Sequence, residues 1–319
     1  MIRLYRAGGA TCEIHTPRPG ESLGSDVIWL DLVAPTRDEE LGLEAALHLS
    51  IPTREEMQEL EASSRVYRDD GAIYATADLI HNGDADIPAI DPVTFILTGG
   101  PLITIRYFNP RPFATLDAKL AKEPALCDAG PALFLHLMEA VIDRNSDVLS
   151  KTVTRVEAIS NHVFAEGRTV GFEKLITKLG RAQIANARLE QSLAGLLRVF
   201  AFVNLDGQLA HDADRREHLR SLSADAQSLI THNQAIAANI NFQLSAALGL
   251  INIEQSSIIK IFSVAAVAFM PPTLIASIYG MNFDHMPELH WMGGYPMAVA
   301  AMVVAAILPL LWFKKKGWL

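Results

Sequence analysis

Cysteine is almost missing from this 319-residue chain, and its two thiols, Cys12 and Cys127, exclude both a disulfide scaffold and a sulfur-rich metal site. Basic residues are outnumbered as well, 27 Lys and Arg against 36 Asp and Glu. The resulting net charge of −9 would repel nucleic acid phosphates over most of the surface. No Walker loop, dinucleotide fingerprint, nucleophile elbow or zinc-protease helix occurs, so the sequence indicates no enzyme and no organic cofactor. The N-terminus MetIleArgLeuTyrArg has neither the apolar core of a signal peptide nor a transit-peptide composition. No fixed-period repeat of roughly 20 to 50 residues is evident.

Charge is missing most completely at the C-terminal end. From Ile261 onward the ionised residues are Asp284, Glu288, Lys314, Lys315 and Lys316, which leaves about −10 on the first 260 residues. Two uncharged runs, Ile261 to Phe283 and Trp291 to Phe313, are each long enough to cross roughly 30 Å of hydrocarbon as a helix of about 20 residues. Lys260 precedes the first run, Lys314 to Lys316 follow the second, and the loop between them has no Lys or Arg. The positive-inside rule therefore places both termini in the cytoplasm. The outer loop then carries Asp284 and Glu288, an acidic mouth that draws cations.

The preceding residues divide by pattern. Strand signals occupy Val27 to Leu32, Ala72 to Ile80 after an Asp70-Gly71 turn, and Val93 to Thr98 with Leu102 to Tyr107 as a hairpin around Gly99-Gly100. Thr36 with Glu39 and Thr53 with Glu56 have capping-box spacing, which predicts helices over Arg37 to Leu49 and Arg54 to Ala62. From Pro131 the pattern is helical: Ala132 to Phe164, Phe172 to Phe202, then a run from about Asp212 with no proline before Pro271. That last helix would reach roughly 100 Å and runs without a linker into the first span. The expected fold class is thus an α+β membrane protein: an N-terminal cytoplasmic α/β domain (1–130), a helical region with a long helical stalk (131–257), and two C-terminal transmembrane helices (258–319) joined by an outer loop (281–296).

Along the first span, Ser256, Ser263, Met270 and Ser277 recur every seven residues, and Ile259, Ala266, Thr273 and Gly280 form a second such series. Together they make an a/d-type stripe of hydroxyls and small side chains, while Phe262, Phe269, Leu274 and Ile278 lie off it. A polar stripe sits badly against lipid. It can be buried by close packing of a helix pair, or it can line a narrow channel among several copies, with Ile259 and Met270 as constrictions. Gly280 can end the helix, leaving its last carbonyls and the Asn282 amide at the outer mouth. Several such ends brought together would form an uncharged, oxygen-only site suited to a hard cation that keeps its water, and Mg²⁺ is that cation. Pro271 and Pro272 remove backbone donors in mid-span and should bend the helix locally.

TyrGlyMetAsnPhe at Tyr279 to Phe283, MetProGluLeu at Met286 to Leu289, GlyTyrPro at Gly294 to Pro296 and the tail LysLysLysGlyTrpLeu together resemble the CorA magnesium transporter family. The resemblance implies a homopentamer in the cytoplasmic (inner) membrane, with a cytoplasmic funnel, a stalk helix entering the pore-lining first span, and a peripheral second span. It implies that Gly280, Met281 and Asn282 form the outer selectivity element, with Glu288 near the mouth. It places Ile259, Met270 and Thr273 at positions that line the pore, and Ser256 where relatives can carry Asn. The transported ion would be Mg²⁺, with Co²⁺ and Ni²⁺ as further substrates.

The family resemblance also implies gating by cytoplasmic Mg²⁺ held between subunits by carboxylates. Counted back from Gly280 without gaps, the stalk acid falls on Ser221, with Asp225 one turn further on; Glu55, Glu56 and Glu59 are the acids available on the α/β domain. His211, Asp212, Asp214 and His218 form a His/carboxylate group near the start of the stalk helix, and His285 and His290 flank the outer loop. Expected partners are further copies of the chain, the lipid bilayer and divalent cations. Two rival readings remain open, a Zn²⁺ transporter of the same superfamily and a membrane-tethered divalent sensor that does not conduct. Met281 and the MetProGluLeu loop favour Mg²⁺ over Zn²⁺, because the zinc branch usually departs from both.

Overall fold

The structure, a computed structural model, describes residues 1–7, 13–15, 24, 26–59, 61–123, 129–164, 171–206, 212–282 and 286–318. Cys12, Cys127, His211, Phe283, Asp284 and His285 lie outside the described residues. The chain falls into two compact units, Met1–Leu244 and Ser245–Leu319.

The first unit is built on a seven-stranded sheet of β1 (Ile2–Arg6), β2 (Glu13–His15), β3 (Val27–Val33), β4 (Val66–Asp69), β5 (Ala72–His81), β6 (Ala89–Leu97) and β7 (Leu102–Arg106), in the order β2-β1-β3-β7-β6-β5-β4. Every neighbouring pair is antiparallel except β3 with β7. Asp70 and Gly71, at φ 43° and 81°, supply the left-handed pair that a two-residue hairpin between β4 and β5 needs. The alternation along β3 divides the core. Leu30 and Leu32 join a buried cluster with Leu43 of α1 (Arg37–Leu47) and Met57 of α2 (Arg54–Met57). Trp29 instead packs 6.0 Å from Phe113 of α4 (Arg111–Lys122). Beyond it, Phe95 meets Phe134 of α5 (Gly130–Val163), and α6 (Phe172–Asp206) approaches so closely that a Cβ on Gly195 would lie 3.8 Å from Ala77. At Gly130 a Cβ would come within 2.3 Å of the Gly100 carbonyl oxygen, so only glycine lets α5 start against the β6-β7 hairpin.

The parallel β3/β7 pair is held by a buried ionic network. Arg106 donates from Nε and Nη2 to the two oxygens of Asp31 at 2.9 and 2.8 Å. Thr104 donates to Asp31 Oδ1 at 2.9 Å and accepts from Trp29 Nε1 at 3.0 Å, so the carboxylate is saturated where water is excluded. A second buried pair, Arg65 with Asp78 at 3.0 Å, explains a departure from the local signals. The helix expected over Arg54 to Ala62 stops at Met57, and the chain turns helical again only at α3 (Ala62–Arg65). The capping box at Thr53 is formed, but beyond it Arg65 Nε takes the Glu59 carbonyl at 2.7 Å while its Nη1 reaches Asp78, so that carbonyl is engaged by a side chain and not by a continuing helix. The sequence reading also passed over β1, β2, β4 and α4, which are short or weakly patterned.

The helix α7 (Ala213–Tyr279) runs unbroken for 67 residues and continues through Pro271 and Pro272. The prolines deprive the Val267 and Ala268 carbonyls of their i+4 donors, yet the helix does not end there. Near its start, Asp212 Oδ1 accepts from the Asp214 amide at 3.0 Å and Oδ2 pairs with Arg215 at 3.1 Å, contacts that cap the helix. His218 turns instead to His136 of α5, ring centroids 5.8 Å apart.

Two outcomes test this packing. Asp31→Ala should cost about 3–5 kcal/mol, because it strands a buried guanidinium. The readout is a lowered melting temperature of the full chain in detergent, matched by Arg106→Ala. Burial holds the His136 imidazole below its ordinary value of 6.5, with Lys119, Glu139 and His218 around it. The charged form is disfavoured in the fold, so this contribution is intact above pH 6.5 and is lost as the pH falls below it. The melting temperature should drop on acidification through that range, and His136→Asn should flatten the dependence.

Candidate functional site

The second unit contains the C-terminal part of α7, a short 3₁₀ helix (Pro287–His290) and α8 (Gly294–Lys315). Both α7 and α8 contain windows long and apolar enough to cross a membrane, and only 11% of each window is buried, unlike the core helix of a soluble protein. The end of α8 is anchored. Gly317, at φ 71°, closes the helix as Trp318 N–H reaches the Phe313 carbonyl at 3.0 Å, and Phe313 stacks on Trp318. Lys316 lies 5.5 Å from the Trp312 ring centroid, a basic and aromatic collar typical of the headgroup level.

Burial divides the first span into two sides. Val264 and Ala268 are buried, and Pro271, Pro272, Ile275 and Tyr279 are half-covered. On α8, Ala298 is buried and Met302, Ala305 and Pro309 are half-covered, so each span has one covered row. At about 100° per residue, the stripe of Ser256, Ile259, Ser263, Ala266, Met270, Thr273 and Ser277 falls on the opposite side of α7. All of it is exposed except half-covered Ser263; Ile259 and Met270 are 64% and 68% exposed. The hydroxyl-bearing face of the first span is therefore left uncovered within one chain. Thr273 Oγ1 donates to the Phe269 carbonyl at 2.7 Å, which uses its proton and leaves the oxygen as an outward acceptor.

The stripe ends where the helix ends. Gly280 N–H closes on Ala276 O at 2.9 Å and Met281 N–H on Ile278 O at 3.3 Å. A Cβ at Gly280 would lie 3.1 Å from the Ala276 oxygen, tighter than ordinary contact, so glycine keeps the last turn undistorted. Met281 and Asn282 follow, both exposed, with the negative end of the helix dipole beside the Asn282 amide. Glu288 is exposed on the 3₁₀ helix, and its backbone oxygen would be 2.2 Å from a Cβ on Gly294, so glycine there holds the loop tight.

The carboxylates proposed for regulation do not converge within one chain. Glu56 is engaged by the amide and hydroxyl of Thr53 at 2.7 and 3.0 Å. Glu55, Glu59, Ser221 and Asp225 are exposed. Among the described residues no group of three or more His, Cys, Asp or Glu is placed to hold a metal. Asp225 lies instead near acids of α5 that the sequence reading missed: burial, Glu139, Asp147 and Asp225 push the Asp143 carboxyl up. Their i, i+4, i+8 spacing on one helix was the available signal.

Residues 24–315 match the family model described as CorA-like Mg²⁺ transporter protein. The magnesium transport protein CorA of Wolinella succinogenes is 37% identical over 303 residues, 92% of each chain. That of Salmonella typhimurium is 34% identical over 295 residues, again 92% of each. Among solved structures, the complete CorA magnesium transporter of Methanocaldococcus jannaschii superposes with a TM-score of 0.81 at 19% identity, covering 100% of this chain and 99% of that one. The full-length CmaX protein gives 0.70 at 14% identity over 98% and 96%.

The two sides of the first span should differ in access to water. In a Cys12→Ser/Cys127→Ser background, Ser277→Cys and Thr273→Cys should react with a charged thiol reagent in intact membranes, whereas Val264→Cys and Ala268→Cys should not. Labelling rates differing by tenfold or more are expected.

Proposed function

This chain belongs to the CorA family of Mg²⁺ transporter proteins, and from that premise we propose that it is a channel-like path for Mg²⁺ entry across the inner membrane, formed by five copies around an axis lined by the polar stripe of the first span. The observation that carries this reading is the position of the stripe opposite the covered face of α7, ending at Gly280, Met281 and Asn282. Five helix ends meeting at an axis present Asn282 amide oxygens and the last carbonyls, neutral acceptors that can hold a hydrated Mg²⁺ without binding it too tightly for release. Glu288, with Asp284 in the same loop, raises the local cation concentration. Ile259 and Met270 are the apolar constrictions; Ser256, Ser263, Ala266, Thr273 and Ser277 line the rest. With both termini cytoplasmic, the membrane potential contributes roughly 4.6 kcal/mol per 100 mV for a divalent ion, twice the single-charge figure, so entry needs no nucleotide hydrolysis.

Co²⁺ and Ni²⁺ fit the same oxygen-lined path and are proposed as secondary substrates. Closure by cytoplasmic Mg²⁺ would rest on Glu55, Glu59 and Asp225 of adjacent copies. Ser221 contributes no charge, Glu56 is committed to its helix cap, and among the described residues no three of these groups converge within one chain. Met281 and the loop from Met286 support Mg²⁺ over Zn²⁺ as cargo.

Reconstituted in liposomes under an inward-negative potential, the chain should take up Mg²⁺ without a proton gradient, and Zn²⁺ at a small fraction of that rate. Asn282→Ala should lower Mg²⁺ uptake at least tenfold with the protein still assembled, and Gly280→Ala several-fold. A conformational response to Mg²⁺ without flux would replace the transporter by a sensor, and proton-coupled Zn²⁺ flux would place the chain with the zinc branch.

A further inference from the structure

A cavity of about 450 Å³ opens between the C-terminal half of α5 and the first turns of α6, within the range of small-molecule sites. Its lining contradicts the charge of the chain. Arg155, Lys174, Lys178 and Arg181 are four cations against one carboxylate, Asp86, in a protein whose net charge is −9. Asp86 engages Arg181 at 3.1 Å and Arg155 at 3.9 Å, while the Arg155 guanidinium also donates to the Ala85 and Asp86 carbonyls at 3.1 Å, which fixes its plane. Lys174 and Lys178 have no such partner among the described residues and stand one turn apart on the same wall. Between the cations, Ala158, Ile159, Leu175 and Ala182 form an apolar floor. At one end lies Gly171, where the first amides of the 35-residue α6 add positive potential. Such a combination is poorly suited to a free metal cation and poorly used by a bare inorganic anion, which would leave the floor wet.

We propose that this cavity binds a nucleotide: the phosphates paired with Lys174, Lys178 and the Arg155/Arg181 guanidinia, and the base laid on the apolar floor. Nothing in ion conduction uses the cavity, which lies in the first unit, so the site is separate from the path described above. Phosphate recognition by paired arginines and lysines supplies charge-assisted hydrogen bonds, and the floor supplies apolar burial.

Isothermal titration of the detergent-solubilised full chain, in EDTA so that divalent binding does not interfere, tests this with ADP, pyrophosphate and glycerol 3-phosphate as separate probes. ADP should bind, at least tenfold tighter than either of the others. Lys174→Gln/Lys178→Gln should weaken ADP by tenfold or more with an unchanged melting temperature, whereas Arg198→Gln, which removes a charge from the same helix outside the lining, should leave it intact. Failure of ADP to bind at millimolar concentration, pyrophosphate binding as tightly as ADP, or an unaffected double variant would each overturn the proposal. Glycerol 3-phosphate matching ADP would overturn it in favour of a lipid headgroup.

Discussion

Hydrocarbon offers no hydrogen bonds, and that constraint orders the C-terminal unit. A backbone crossing it must be helical, and any hydroxyl carried across must find a partner in its own helix, in another helix or in water. Thr273 satisfies its proton on the Phe269 carbonyl, but its oxygen and the neighbouring serines remain on the side that α8 does not cover. The prolines lie on the other, half-covered side, where they strip donors from the Val267 and Ala268 carbonyls at mid-span. The exposed row of acceptors is the observation from which the proposed enclosure by further copies of the chain proceeds.

The first unit meets a different constraint, the cost of buried charge. Its parallel strand pair is closed by Asp31, Thr104, Arg106 and Trp29, and its far edge by Arg65 and Asp78, each ion satisfied by several bonds. Gln191 of α6 also donates to Asp78 at 2.8 Å, so helix and sheet share one carboxylate. Earlier on α6, Asn186 and Asn233 of α7 exchange amide-to-carbonyl bonds at 3.2 Å in both directions, which sets the register of the long helix against its neighbour. The polar residues of this unit thus specify positions, while its apolar residues supply the bulk of the burial.

Much of this was legible in the residues. Asp70-Gly71, the capping boxes at Thr36 and Thr53, and the long proline-free run before Pro271 each correspond to an observed turn, cap or helix. The stripe from Ser256 to Gly280 is a period that any reader can count, and its uncovered position follows the same count. What escaped had non-local causes. The short helix at Arg54 stops because Arg65 needs Asp78 on a distant strand. β1 is recognisable only once β3 is beside it, and Asp225 meets Asp143 only after α5 and α7 are packed. His218 stands near Asp212 and Asp214 in sequence, yet its ring faces His136, 82 positions earlier in the chain.

The proposed conduction requires the uncovered faces of the first span to converge around a hydrated axis. A single-particle reconstruction of the full chain in lipid nanodiscs measures this directly. The expected result is a symmetric assembly in which Met270 and Thr273 point to a central solvent column and Asn282 rings its outer end; Asn282 facing lipid, with α8 at the centre or no column at all, would rule out the proposed path.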